Sequence, residues 1–337
     1  MTSRSSAVAE AGRSGPLRPQ SPVTARARAF VAVRLPDALR LGRQLGAEIT
    51  DPDRFAATLE QGLRSIADTD YQAGFSRMAP GVGPVLGVRA PLVAAVARGL
   101  RRALAESPAA YGIYLAERLI RSEFQEVRLF AHLAIARSLP DDPERSWQLI
   151  RRLARRATDW DSVDHLADLV GQGILLEPRR WAEVEQLVYS PHRWERRLVG
   201  STLATLPFAL PRDRRAELAG SPGLALIESL IGDNEPDVQK ALSWALRSWR
   251  EVDPTGVAAL LRREARVAAE TADGHRAWVI RDALSAQPPA LAAEVRELLA
   301  TVRRRAGAPS TSRAAELARM FSGLPGAHSL AEPPLSS

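Results

Sequence analysis

A chain of 337 residues that is 45% hydrophobic can bury a large core in one or two domains, and with no cysteine it excludes disulfides, thiolate zinc sites and thiol nucleophiles. No apolar run reaches the roughly eighteen residues of a membrane span, and no apolar signal segment opens the chain, so a cytoplasmic protein, nucleoid-associated when on DNA, is expected. The formal charge of +7 is unevenly placed: residues 1–36 carry +5 and residues 301–337 carry +3, leaving −1 for the core, so the high pI does not by itself indicate a basic groove.

Residues 1–36 are rich in Ser, Pro, Ala and Arg without periodicity and read as a disordered arm. From residue 37 apolar residues recur at helical spacing, giving predicted helices at 37–49, 52–67, 90–105, 108–121, 124–138, 142–156, 159–171, 178–188, 191–206, 222–232, 236–250, 254–271, 275–285 and 289–305. No alternating strand pattern interrupts them, so the core, 37–305, is all-α; residues 306–337 read as a largely disordered tail with one short helical patch. Trp147 and Trp160 recur as Trp181 and Trp194, each 34 residues on. Such a period suggests an α-solenoid of HEAT-like antiparallel helix pairs curving around a concave groove, with an irregular helical bundle as the alternative.

The Gly-rich stretch "PGVGPVLGVRAP" (80–91) precedes a helix but lacks the ending of a phosphate-binding P-loop and follows no strand, so it reads as a loop. In "TDWDSVDHLADLVG" (158–171), Thr158 or Asp159 serves as a helix cap and Asp161 faces the positive helix end, whereas Trp160 and Asp164, one turn apart, lie at the edge of the buried stripe. Capping does not account for Asp164. In "YSPHRWERRLVGSTLATL" (189–206), Ser190 is read as the cap and Pro191 as the first helical residue, and the inward stripe leaves Arg197 pointing the other way. Arg193, Arg196 and Arg197 are then either solvated charges or phosphate ligands. In "PDVQKALSWALRSWR" (236–250), Lys240, Trp244 and Arg247 share the face opposite the core; Lys240 is the sole lysine of the chain. Trp244 either covers a neighbouring helix or offers a flat apolar plate to a sugar-phosphate backbone. The five histidines are scattered without metal-ligand pairing, and neither a serine-nucleophile elbow nor a paired-carboxylate pattern occurs.

Taken in order, "GVRAP" (87–91), "EFQEVRLFA" (123–131), "WDSVD" (160–164), "RWERR" (193–197) and "DVQKALSWALR" (237–247) resemble the DNA alkylation repair family of HEAT-like glycosylases, the AlkD-like proteins, across roughly residues 40–300. The resemblance implies hydrolysis of the N-glycosidic bond of N3- and N7-alkylated purines in double-stranded DNA, by a monomer without metal or other cofactor. It places the family's Trp-x-x-x-Asp on Trp160 and Asp164, its helix-borne Arg on Arg197 and its second Trp on Trp244. Lys240 and Arg247, with Arg193 and Arg196, would contact DNA. Asp164 would stabilise the oxocarbenium-like transition state and position water. One departure stands out: where the family's closing helix carries Arg-Glu-Ala, this chain has Arg276 followed by Ala277. A non-catalytic HEAT-repeat module binding DNA structures or protein partners is the alternative.

Overall fold

The structure, a computed structural model, describes residues 22–79 and 81–322. Among these residues there is no strand. The helices are α1 (Pro22–Gly46), α2 (Pro52–Ser65), α3 (Thr69–Met78), α4 (Ala90–Glu106), α5 (Ala109–Leu119), α6 (Gln125–Ser138), α7 (Pro143–Arg156) and α8 (Trp160–Leu176). They continue as α9 (Arg180–Leu187), α10 (Arg193–Ala209), α11 (Gly223–Leu230), α12 (Pro236–Trp249), α13 (Pro254–Thr271), α14 (Gly274–Ala283), α15 (Pro289–Leu298) and α16 (Arg313–Ser322), with a 3-10 helix at Arg212–Gly220.

Local chemistry sets the helix starts. Asp51, Asp142 and Asp253 each cap a helix whose next residue is Pro, the ring fixing φ where no N–H is needed. Asp68, Asp159 and Asp273 cap α3, α8 and α14 in the same way, accepting from backbone N–H groups of the first turn.

The even-numbered helices from α4 to α14 pack each on the next, and α1 lies along α4; α2, α5 and α7, and then α11, α13 and α15, form an outer row. The 34-residue tryptophan period is this pairing: Trp147 and Trp181 lie on α7 and α9, Trp160 and Trp194 in the first turns of α8 and α10. A continuous apolar core runs between the rows, and its largest buried side chain, Trp249, donates from Nε1 to the Leu203 carbonyl at 2.7 Å. The architecture is the expected all-α solenoid of helix pairs.

Three expectations are revised. The arm read as disordered to residue 36 is helical from Pro22 onward, because Phe30, Val31 and Leu35 already pack on the core; its first 21 residues lie outside the described residues. The tail is ordered from 306 to 322: Thr311 N donates to the Gly232 carbonyl at 3.0 Å, Ala314 is buried, and α16 packs on α11, while residues 323–337 lie outside the described residues. Helix α3 and the 3-10 helix carried no apolar stripe and were not expected.

The Gly-rich loop is a structural clamp. Glu126, buried on α6, accepts from the backbone N–H groups of Leu86 (2.8 Å), Gly87 (2.8 Å) and Val88 (3.0 Å). Gly87 has φ +88 and lies against the Asp68 carbonyl, a conformation that a side chain would oppose. The amides that would have met a phosphate therefore already have a carboxylate.

Candidate functional site

The site is assembled across three successive helices of the inner row. Asp159 opens α8, its Oδ1 accepting from Ser162 N at 2.8 Å and its Oδ2 from Gln125 Nε2 of α6 at 3.1 Å, so the first turn is fixed to the preceding helix pair. Trp160 is the first helical residue and half-buried. Burial raises the pKa of Asp161, and Asp159 and Asp164 add to the rise, while nearby His165 and Arg128 oppose it. One turn beyond Trp160, Asp164 projects toward α10.

There it meets Arg197, which is 5% exposed and not outward as its helical position suggested. The guanidinium donates from Nε to Asp164 Oδ1 at 3.1 Å and from Nη2 to Oδ2 at 2.7 Å, a two-point pair that fixes the plane of the carboxylate. Ser201, fully buried one turn along α10, donates a third hydrogen bond to Oδ1 at 2.6 Å. The remaining arm, Nη1, reaches the Asp237 carbonyl in the first turn of α12 at 2.7 Å. One buried arginine thus joins α8, α10 and α12. Of the four lone-pair directions of the carboxylate, three are occupied, leaving one on Oδ2.

Lys240 and Trp244 follow Asp237 at one and two turns along α12. Lys240 is exposed, and among the described residues no carboxylate pairs with it. Trp244 is half-buried and packs against the core, so part of it covers neighbouring side chains and part remains open. The other arginines anticipated as phosphate ligands are tied into the protein. Arg196 donates to Asp233 (2.7 Å) and to the Ser190 (2.9 Å) and Pro191 (3.0 Å) carbonyls, and Arg247 pairs with Asp282. Arg193 stacks on the Trp194 ring at 4.7 Å and approaches Glu235 at 3.6 Å, remaining about half exposed. Ser190 does not cap α10 itself; it sits before it, accepting from His192 N at 3.1 Å and donating to Glu195. Arg276, at the family departure, is bound to Glu264, to Asp273 and to the Thr311 carbonyl, a fixture of the ordered tail.

Asp164 and Arg197 are therefore in direct contact, Trp160 precedes the pair by one turn, and α12 with Lys240 and Trp244 is joined to them through the Asp237 carbonyl. Ser201 and that carbonyl escaped sequence reasoning. The only signal for Ser201 was a small polar residue four positions after Arg197, beside a buried stripe.

A stack of helix pairs holding one carboxylate by a buried arginine across three repeats is a repeat protein with a preorganised anionic site. The family model of the DNA alkylation repair enzyme matches residues 59–286, more than half of the chain and including every residue of the site, and the protein belongs to that family. A solved structure described as a predicted DNA alkylation repair enzyme from Enterococcus faecalis is similar at 19% identity and a TM-score of 0.49, covering 58% of this chain and 89% of that one. No curated protein matches.

Proposed function

We propose that the protein is a monofunctional DNA glycosylase acting on N3- and N7-alkylated purines, with Asp164 as the group that stabilises the transition state. The observation that carries this reading is the fixed carboxylate: Asp164 is held by Arg197 and Ser201 before any substrate arrives, and its side chain remains 19% exposed.

An alkylated purine of this kind is already cationic, so the bonding pair of the C1′–N bond returns to the ring and the base departs neutral without a general acid. What develops is positive charge on the sugar, and a carboxylate whose orientation requires no reorganisation lowers its energy. Arg197 offsets part of the carboxylate charge, sets its plane and binds it to α12, leaving one direction on Oδ2 open. Trp160, half-buried one turn before Asp164, and Trp244 offer apolar faces for the deoxyribose and backbone, and Lys240 a free cation for a flanking phosphate.

The test is release of 7-methylguanine and 3-methyladenine from methylated duplex DNA by the wild-type protein and by Asp164→Asn, each checked for folding by circular dichroism. Release by the wild type with a loss of roughly 100-fold or more in the variant supports the reading. Binding of the DNA with no release by the wild type overturns it in favour of a non-catalytic DNA-binding module.

A further inference from the structure

We propose that the C-terminal segment 303–312, through His275 and Thr311, is a positioning element of the candidate site: it fixes the turn ahead of α12 whose Asp237 carbonyl holds Arg197. The proposal rests on the glycosylase reading above and adds residues that act on Asp164 through Arg197 without meeting the DNA.

The segment crosses the starts of α14 and α12 in turn, and each crossing is made at a glycine. At Gly274, the first residue of α14, an added Cβ would lie 2.4 Å from Arg304 Cα and 2.5 Å from the Arg303 carbonyl oxygen. At Gly232, which has φ +98, it would lie 2.6 Å from Thr311 Oγ1. Thr311 fastens the segment at the second crossing. Its N donates to the Gly232 carbonyl at 3.0 Å, its hydroxyl donates to Asp273, the cap of α14, and its carbonyl accepts from Arg276 Nη2 at 3.3 Å.

A relay of hydrogen bonds leads from the segment into α12. His275 is buried, and its Nε2 faces the Ala308 carbonyl at 2.9 Å. A carbonyl only accepts, so Nε2 carries the proton and Nδ1 accepts from Gln239 Nε2 at 3.2 Å. The Gln239 amide gives its second proton to the Asp233 carbonyl at 2.5 Å. The Asp233 carboxylate accepts from Arg196 of α10 at 2.7 Å and from Glu235 N at 2.9 Å.

The turn 232–237 is therefore gripped from two sides. On one side the segment holds Gly232 directly and Asp233 through His275 and Gln239; on the other, Arg196 holds Asp233 and Arg197 holds the Asp237 carbonyl at 2.7 Å. Asp237 lies between the two points at which the segment acts, Gly232 and Gln239. The ends of a helix are where it frays, and here the first turn of α12 is tied down from outside. Arg197 reaches from Asp164 to the Asp237 carbonyl with one rigid planar group, so a displaced carbonyl tilts the carboxylate or loses the link. Beyond that turn α12 stays packed through Ala241, Leu242 and Ala245, which keeps Lys240 and Trp244 in place.

The test is a double-variant cycle in the full-length protein, read as single-turnover release of 7-methylguanine from methylated duplex DNA at saturating enzyme. Affinity for unmodified duplex DNA is measured separately, and folding is followed by circular dichroism. His275→Ala is expected to slow release by roughly 10-fold while the DNA dissociation constant stays within about twofold, because position is lost and no binding group is. In an Arg197→Met background the same substitution should have almost no further effect, since the link it acts through is gone. A His275→Ala protein with the wild-type rate overturns the proposal. So does an equal slowing in both backgrounds, which would make the segment a general support of the fold, and so does a loss seen in DNA affinity alone. If His275→Ala does not fold, Thr311→Val, which removes the bond to Asp273 and keeps the backbone bond to Gly232, is held to the same expectations and the same refutations. A wild type that releases no base ends the glycosylase reading and this proposal with it; a wild type that releases base, with variants that do not slow it, ends this proposal alone.

Discussion

Replacing Arg197 by Met keeps most of the side-chain length while removing the three-way link between α8, α10 and α12. Arg197 is 5% exposed and makes two hydrogen bonds to Asp164 and one to the Asp237 carbonyl. Removing one member of a buried ion pair costs about 3–5 kcal/mol, because the other is left uncompensated. Asp164 keeps the Ser201 hydroxyl and some solvent, which places the expected loss at the lower end, about 3 kcal/mol, or roughly 4 °C in a thermal melt of a chain this long. The comparison that isolates the pair is the cycle of Arg197→Met, Asp164→Asn and the double variant, read by urea unfolding. A coupling of about 2 kcal/mol is expected for hydrogen bonds between charged groups. Base release at saturating enzyme should fall in Arg197→Met although Arg197 does not itself meet the sugar, since the carboxylate plane is no longer fixed. Additive stability effects, agreeing within about 0.5 kcal/mol, would refute the claim that Arg197 holds Asp164.

Lys240→Ala should weaken DNA binding nearly equally for all sequences and reduce the slope of log affinity against log salt by about one, with release at saturating enzyme unchanged; an unaltered slope removes Lys240 from the phosphate contacts. His132, buried on α6, has its pKa pushed down to about 3, chiefly by burial and then by His165 and Arg128. Because the folded value lies below the unfolded 6.5, the unfolded chain takes up this proton first, so stability is lost as pH falls from about 6.5 toward about 3. His132→Gln should flatten that part of the urea-midpoint profile, and an unchanged slope there would assign the acid sensitivity to other groups.

Much of the fold was legible because the signals were local. Asp-Pro starts at α2, α7 and α13, a Glu-Pro start at α12, and apolar spacing placed these helices nearly to the residue. The failures were of a different kind. Helix α3 buries no residue fully, so nothing in its pattern distinguishes it from a loop. The start of α1 lies in Arg-rich, largely exposed sequence that continues a helix whose later residues, from Phe30 on, pack on the core. The edge pair Trp160 and Asp164 could be recognised because a cap-like residue beyond the first turn has no local explanation. Arg197 was misplaced for a physical reason: a helical wheel assumes one buried face and one wet face, whereas α10 is flanked on both sides, by α8 and α12, and the face opposite its stripe looks into a neighbour. The wheel likewise gave no sign that Arg196 and Arg247 pair with Asp233 and Asp282. Side-chain direction on an interior helix of a repeat array requires knowing the adjacent repeats.

The span of Arg197 across three helices also makes the Asp164 carboxylate a gauge of spacing between repeats. Gly200 lets α10 approach α12 so closely that an added Cβ would lie 2.8 Å from Ala241 Cβ. Repeat stacks are mechanically soft along their length, since each unit touches only its neighbours. Here one arginine ties the orientation of a carboxylate to that stacking: a change in the separation of α8 and α12 reaches Asp164 through the Arg197 hydrogen bonds. Duplex DNA that imposes a curvature on the array would thereby align or misalign the carboxylate through the backbone of α12, without touching it.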